Sequence, residues 1–191
     1  GVNKVEVCTS TGWQFLEEVG PTKAPLTVDY LVVAGGGGAS WGGGGAGGLR
    51  TSFGTGNNNG GLQPVGAVLT MSAAVPYTVV VGSEGAAGDG QNTVGGSGAS
   101  SSFSTITSDG GLGGKSNGQQ GDGGKAGGTS VYGFAGGYNN GNSGSGGGGA
   151  GAVGAAQSNN TGGSDGGAGL EVNIIGGTGN FYAGGGGGGN R

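Results

Sequence analysis

The sequence predicts a mostly β and irregular fold, in which short strands in the N-terminal half accompany a bundle of poly-glycine II helices, with no α-helix. Glycine accounts for 60 of the 191 residues, and much of it recurs at every third position, as at 118, 121, 124 and 127. A three-residue period is that of the polyproline II helix, which lacks internal hydrogen bonds and needs neighbouring chains as partners. The triplet phase resets repeatedly and proline is scarce, which excludes collagen.

Disorder is the competing interpretation of this composition, because Gly and Pro together make up about a third of the chain. Ordering glycine costs more backbone entropy than ordering any other residue. A folded chain of this kind must therefore recover that cost through dense backbone hydrogen bonding.

Glycine-poor windows place most of the predicted strands in the N-terminal half, where the β-branched residues are concentrated. We predict strands at 4–8, 13–17, 27–34, 66–71, 77–82, 102–107 and 170–175. The continuous apolar runs Leu31–Val33 and Val79–Val81 are typical of strands that are covered on both faces. We therefore expect these two runs to form the small true core.

The distribution of glycine divides the chain near residue 110. We expect a poly-glycine-rich rod bundle at 110–191, a β-rich, glycine-interrupted region at 21–109, and an N-terminal strand-turn-strand attachment element at 1–20. Whether 21–191 is one domain is left open. Short polar or aromatic interruptions separate the triplet runs, and their Asn-rich composition is typical of turns. If the glycine helices stack side by side, successive turns should gather at the two ends of the bundle.

Composition excludes most enzyme and nucleic-acid functions. Histidine is absent, which removes the usual general base and zinc ligand. The net charge of −4, with only six Lys and Arg, argues against binding to phosphates. No apolar window approaches membrane-spanning length. We predict no catalytic residue, no cofactor, no metal site, no nucleic-acid partner and no membrane insertion; Cys8, the single cysteine, is expected as a free thiol.

Two glycine motifs resemble nucleotide-binding sequences but lack the helix that follows the glycines in such sequences. The stretch 28–37 resembles a strand and dinucleotide-binding turn, but the glycines after Trp41 cannot sustain the helix that this fingerprint needs. The stretch 110–116 resembles a phosphate-binding loop, but Asp109 stands at its first glycine position and no helix follows. Both are interpreted as structural glycine runs.

Aromatic and Asn side chains in or beside the interruptions are the candidates for recognition. They either plug the ends of the bundle or form a rigid amphipathic binding surface, and the two roles are compatible. The candidate receptor-binding residues are Trp41, Asn57, Asn58, Tyr132, Phe134, Tyr138, Asn139 and Asn160.

Several blocks of the sequence resemble bacteriophage tail-fibre proteins. The segment Asn3–Phe15 is similar to a strand-turn-strand element of such proteins, although it carries Cys-Thr-Ser-Thr where Tyr-Asp-Gly-Thr is typical. Blocks similar to the glycine-rich domain of phage and environmental virus fibres are 29–38, 47–52, 77–82, 102–106 and 182–184. More distantly, the chain resembles the tail-fibre tip adhesins of T-even-type phages.

This resemblance implies a stack of poly-glycine II helices whose variable turns contact a host receptor at one end. The expected function is non-enzymatic attachment to a host surface, through a glycan or an outer-membrane protein, with other fibre or virion proteins as partners. A homo-oligomer is left open, and the expected location is the virion or the extracellular space. The alternative is a structural subunit of an extracellular or virion filament. Ice binding is disfavoured, because residues such as Lys115 and Asp122 are too bulky and charged for a regular face.

Overall fold

The computed structural model describes residues 5–9, 12–16, 24–116, 123–139, 143–157 and 162–189. Within these ranges the secondary structure consists of short antiparallel strands and one 3-10 turn at Gly60–Leu62, with no α-helix. Most of the described backbone belongs to neither class. For this part of the chain, the prediction of a mostly β and irregular fold without α-helix is confirmed.

The strands are two to five residues long and pair antiparallel. Their bounds are Val5–Thr9 (β1), Gly12–Leu16 (β2), Leu26–Val28 (β3), Leu31–Val33 (β4), Leu49–Thr51 (β5), Leu69–Met71 (β6), Val79–Val80 (β7), Ser101–Phe103 (β8), Ile106–Ser108 (β9), Leu170–Glu171 (β10) and Phe181–Tyr182 (β11). The pairs are β1 with β2, β3 with β6, β4 with β5, and β10 with β11, and β7, β8 and β9 form a three-stranded sheet.

The predicted strand positions are correct in outline. The strands predicted at 4–8 and 13–17 have the right length and are shifted by one residue, and the others are too long. The strand predicted at 27–34 is broken at Asp29 and Tyr30, so that its two parts pair with different partners. The strand predicted at 102–107 is a hairpin, since Ser104 turns the chain with a φ of 54°. Strands β5 and β11 escaped prediction because glycine surrounds each of them within a few residues.

Glycine-rich segments, which are neither helix nor strand, adjoin most of these strands. Strands β4, β7, β9 and β11 lead directly into such segments, and β5, β8 and β10 follow them. We call them the glycine segments; their ranges are 34–39, 43–48, 82–88, 95–99, 109–116, 123–126, 133–138, 144–149, 152–157, 162–169 and 183–189.

Hydrogen bonds between neighbouring glycine segments recur at every third residue. Along 144–149, the N–H of Gly144 donates to the carbonyl of Gly189 at 2.8 Å and that of Gly147 to Gly186 at 2.8 Å. Residues between these donors bond to other segments, as when Gly146 donates to Ala155 at 3.0 Å. In a β-ladder the period would be two, and the described residues between 110 and 169 contain no strand.

The segment 144–149 lies at the centre of this arrangement. Backbone hydrogen bonds connect it with six other glycine segments, namely 43–48, 123–126, 133–138, 152–157, 162–169 and 183–189. Segments from both sides of residue 110 therefore share one hydrogen-bond network. Neighbours can approach this closely because their residues lack side chains: a Cβ atom added to Gly147 would lie 2.0 Å from the carbonyl oxygen of Gly44.

The side-chain core is small and lies at the end of the molecule where the strands are found. Its fully buried members are Leu49, Ala150 and Val172. Partly buried apolar side chains pack against them, namely Leu31, Val33, Phe53, Leu170, Ile174, Tyr182 and Ala183. The prediction that Leu31–Val33 contributes to the core is confirmed.

The prediction that Val79–Val81 is buried is wrong. Val79 and Val81 are 64% and 85% exposed, and Val80 is exposed as well. Strand β7 is an edge strand of its sheet, and an open groove of about 320 Å³ separates this run from Leu31–Val33. A continuous apolar run predicts two-sided burial only where a second layer covers it, and the glycine segments bring few side chains to do so.

Candidate functional site

The glycine segments alternate in direction, so their connections gather at two opposite ends. Segments 34–39 and 43–48 are antiparallel, because Ala34 donates to Gly48 and Gly37 to Gly45. They are joined at 40–42, far from the strands. We call this end the turn end; it consists of 40–42 and 89–94 and the neighbouring positions 115–116, 138–139, 157 and 189. The opposite end, with strands β3 to β11 and the loops 52–65, 127–133 and 172–180, is the strand end.

Trp41 occupies the middle of the turn end. Its backbone carbonyl accepts a hydrogen bond from the N–H of Gly189 at 2.9 Å, and the N–H of Gly42 donates to Lys115 at 2.9 Å. The Trp41 side chain is only 8% exposed. The residue is therefore buried where the ends of several glycine segments meet.

Tyr138 and Asn139 lie at the same end with contrasting exposure. The Tyr138 side chain is 57% exposed, and its carbonyl accepts a hydrogen bond from the N–H of Gln157 at 2.9 Å. Asn139 is buried and forms an isolated bridge with Gln157. Tyr138 is thus largely exposed, whereas the backbone of Asn139 bridges two segment ends. The predicted site residue Asn160 lies outside the described residues.

A compact loop at 89–94, which the sequence reasoning missed, completes the turn end. The Asp89 carboxylate oxygen Oδ1 accepts hydrogen bonds from the backbone N–H groups of Gln91, Asn92 and Thr93 at 2.9, 2.7 and 2.8 Å. Backbone hydrogen bonds from Thr93, Asn92 and Gln91 lower the pKa of Asp89 to about 2. The sequence pattern that could have revealed this loop is Asp-Gly-Gln-Asn-Thr, because Asp, Asn and Gly favour turns.

The Asp89 loop is fixed to the turn beside Trp41. The hydroxyl of Ser40 donates to the carbonyl of Thr93 at 2.6 Å, and the N–H of Gly88 donates to Ala39 at 2.8 Å. The side chains of Gln91 and Asn92 remain exposed. A polar surface with a hydrogen-bonded backbone therefore lies next to the buried tryptophan, and ligand binding would require little further ordering of this backbone.

The other predicted site residues lie at or near the strand end and not beside Trp41. Asn57 is exposed in the loop 52–65, and Asn58 donates weakly to the carbonyl of Phe53 at 3.4 Å. The Tyr132 ring lies beneath the Arg50 guanidinium, 4.6 Å from its centroid. Phe134 is half-buried within its glycine segment. The structure therefore divides the candidates between two surfaces.

Asn59 organises the strand-end loop and was not among the predicted residues. It is buried, accepts a 2.5 Å hydrogen bond from the Thr51 N–H through Oδ1, and donates to the Pro64 carbonyl through Nδ2. The adjacent Asn57 and Asn58 have no comparable contacts. Local sequence does not distinguish the buried member of the Asn57-Asn58-Asn59 run, because the difference depends on the distant residue Thr51.

The described residues contain no group of three or more His, Cys, Asp and Glu side chains that could hold a metal ion. In the same ranges, no helix has the length and hydropathy of a membrane span. Comparison with protein-family models, with curated proteins and with solved structures found no match to the chain.

Proposed function

We propose that this chain is a non-enzymatic bacteriophage tail-fibre or fibre-tip protein that attaches to a host surface. The observation that carries the proposal is the separation of a polar turn end from an apolar strand end by a rigid, hydrogen-bonded body. A protein that joins a fibre to a receptor needs two such surfaces, and its body must hold them apart.

The body is proposed to be a bundle of poly-glycine II helices. Hydrogen bonds at every third residue match the period of this helix. A central segment with six bonded neighbours is also what hexagonal packing of threefold helices requires. The short distances at which a Cβ atom would meet a neighbouring carbonyl explain why glycine occupies these positions.

In this proposal the turn end faces the host. It exposes Gln91, Asn92 and Tyr138, a combination of amide and aromatic side chains that is common in binding surfaces. The Asp89 hydrogen bonds and the buried Trp41 hold the backbone beneath them. A glycan or a loop of an outer-membrane protein is the proposed receptor.

The strand end is proposed to face the rest of the fibre. The chain enters the described body there through β3, and several large apolar side chains are exposed at this end. These are Leu26, Leu62, Val68, Val75, Val79, Val80, Val81, Val131, Ile175 and Phe181. Exposed apolar surface of this extent is typical of protein contacts. The proposed partners are other fibre or virion proteins, and the proposed location is the virion.

The experiment is adsorption of purified, fluorescently labelled protein to a panel of candidate bacterial hosts. A turn-end variant carries Gln91→Ala, Asn92→Ala and Tyr138→Ala, and a matched strand-end variant carries Asn57→Ala and Asn58→Ala. We expect the first to lose adsorption and the second to retain it. Equal adsorption by both variants would contradict the assignment of the receptor surface to the turn end.

The same strand-end apolar surface supports a second candidate, a structural filament subunit without a receptor of its own. Sedimentation at increasing protein concentration separates the two functions. Filament assembly by the wild-type protein, together with no adsorption to any host in the panel, would favour the structural subunit and contradict host attachment.

A further inference from the structure

Strand β7 lies at an edge of the three-stranded sheet and bonds to β8 through its even-numbered positions. The N–H of Ser104 donates to the carbonyl of Thr78 at 3.0 Å, and the N–H of Gly82 donates to Oγ of Ser101 at 2.9 Å. Bonding alternates along an antiparallel pair of strands. The odd-numbered residues from 77 to 81 therefore direct their backbone N–H and C=O groups away from β8.

Tyr77, Val79 and Val81 thus form a row of outward backbone groups, which we call the β7 edge. In the described part of the chain, β8 is the one strand that pairs with β7. Within the same ranges, the backbone groups of Tyr77 and Val81 form no hydrogen bond with another backbone group. Val79 and Val81 are 64% and 85% exposed. Unpaired groups of this kind are a template for the addition of another strand.

The other edge of the same sheet, formed by β9, is covered by the chain itself. The carbonyl of Thr107 accepts a hydrogen bond from Nη1 of Arg50 at 3.0 Å. Directly after β9, the carbonyl of Asp109 accepts one from the N–H of Gly48 at 2.8 Å. Of the two edges, β7 is therefore the one at which the described residues leave a row of backbone groups unpaired.

The β7 edge lacks the charges that usually protect an exposed strand. Natural proteins place charged side chains, especially lysine, on open edges to prevent pairing between copies. Here no Lys, Arg, Asp or Glu stands between Arg50 and Glu84. The protein carries a net charge of −4, so an uncharged edge is a surface at which two copies meet without local repulsion.

We infer that the β7 edge pairs antiparallel with the β7 edge of a second copy of this chain. A two-fold axis at Val79 places Tyr77 opposite Val81 of the second copy, so that outward backbone groups meet outward backbone groups along the whole row. Parallel pairing in the same register would instead bring the exposed Glu84 beside Glu84 of the second copy, and like charges at such positions are destabilising.

This pairing leaves both turn ends exposed. Strand β7 continues into the glycine segment 82–88, which reaches the turn end where Gly88 donates to Ala39. The antiparallel pair therefore directs the two turn ends away from each other. The inference rests on the proposed function in one respect, because it names the partner for part of the strand end as another copy of the same virion protein.

Sedimentation velocity of the purified chain at increasing concentration tests the pairing. Three residues from each copy form an interface smaller than about 1,200 Å², so we expect a weak monomer–dimer equilibrium that is half complete between about 10 µM and 1 mM. A chain that stays monomeric at the upper limit of this range would overturn the inference.

Amide hydrogen exchange at low and high protein concentration identifies the edge. The amides of Val79 and Val81 should gain protection as dimers form, whereas the amide of Val80, which faces β8, should not change. Equal gains at all three positions, or no gain at Val79 and Val81 in the dimer, would contradict pairing through the backbone of this edge.

Lysine substitutions supply the missing edge charge. Val79→Lys places two like charges opposite each other at the two-fold axis, and we expect it to weaken dimerisation at least tenfold, with a similar effect for Val81→Lys. Ile175→Lys adds the same charge at an exposed position of the loop 172–180 and is the control. Circular dichroism melting verifies folding. Undiminished dimerisation of folded Val79→Lys and Val81→Lys would overturn the inference.

Adsorption to host cells separates failure of this inference from failure of the proposed function. Wild-type protein that adsorbs to a host and remains monomeric refutes the β7 pairing and leaves host attachment intact. Wild-type protein that dimerises through β7 but adsorbs to no host in the panel supports the pairing and counts against host attachment.

Discussion

The strand end and the turn end are stabilised by different interactions. At the strand end, buried apolar side chains such as Leu49 and Val172 pack together beneath short antiparallel strands. At the turn end, loops are held mainly by hydrogen bonds to backbone groups, as at Asp89 and Ser40. Side-chain burial thus supplies stability where the strands are, whereas polar groups fix the shape of the surface proposed to meet the receptor. Four predictions test this difference.

The largest effect is expected at the strand-end core. Leu49→Ala should lower the free energy of unfolding by about 2–5 kcal/mol, because Leu49 is fully buried and the change leaves a cavity. Chemical denaturation followed by tryptophan fluorescence measures the loss. Leu62→Ala, at a half-exposed position of the same end, is the control and should change stability by less than about 0.5 kcal/mol. Equal effects would show that burial does not stabilise this end.

The glycine body between the ends should respond to a single added methyl group. A Cβ atom at position 37 would lie 2.1 Å from the Leu112 carbonyl oxygen, whereas at position 36 the nearest atom is 3.6 Å away. We expect Gly37→Ala to destabilise the protein by about 1–3 kcal/mol. Gly36→Ala should be neutral or slightly stabilising, since it restricts the unfolded chain. Thermal melting of both variants makes the comparison; similar melting temperatures would contradict the observed packing.

A buried polar contact at the strand end should contribute somewhat less than its apolar core. Asn59→Ala leaves the Thr51 N–H and the Pro64 carbonyl without their partner, at a cost of about 1–3 kcal/mol. Hydrogen exchange should show faster exchange of the Thr51 amide. Asn58→Ala, one residue away, removes only a weak 3.4 Å contact and serves as the control. Unchanged Thr51 protection in Asn59→Ala would contradict the role assigned to Asn59.

The smallest effect is local to the turn end and depends on pH. The folded-state pKa of Asp89 is lowered from 3.8 to about 2, so the ionised carboxylate favours the folded loop. This contribution is present above pH 3.8 and is lost as the pH falls toward 2. Amide exchange of residues 91–93, corrected for intrinsic rates, should therefore lose protection over that range. Asp89→Asn should remove this pH dependence, whereas the control Glu84→Gln should leave the pH dependence unchanged. If the loss of protection persisted in Asp89→Asn, the Asp89 carboxylate would not be its cause.

The sequence could predict the kinds of local structure more readily than the partners of each segment. Triplet glycines indicate a close backbone approach, but the contact of Gly189 with Trp41 joins positions far apart in the chain. Apolar runs predict strands, yet Leu31–Val33 and Val79–Val81 have similar composition and different burial, because only the first is packed against the core. The burial of a strand depends on the residues that pack over it, and the local sequence of the strand does not specify those residues.

For the candidate site, the sequence predicted which residues stand beside chain reversals but not the end of the molecule at which each of them lies. Composition identified Trp41 and Tyr138 as aromatic residues beside chain reversals, and both lie at the turn end. It also selected Asn57 and Tyr132, which the direction of the glycine segments places at the opposite end. Segment direction alternates with each connection, so the end to which a residue belongs depends on how many reversals precede it. The Asp89 loop was missed because its attachment to the turn end depends on contacts with Ala39 and Ser40, about fifty residues away in the sequence.

The attachment of the Asp89 loop has a consequence for sequence diversification. Gly88 donates a hydrogen bond to Ala39, and Gly95 donates one to Gly114, so both stems of the loop are anchored. Doubling the length of a flexible loop between fixed stems costs only about 0.6 kcal/mol in closure entropy. Insertions at 90–92 should therefore leave the rest of the fold intact, although they would separate Asp89 from the N–H groups that it binds. This position is suited to the display of randomised peptides.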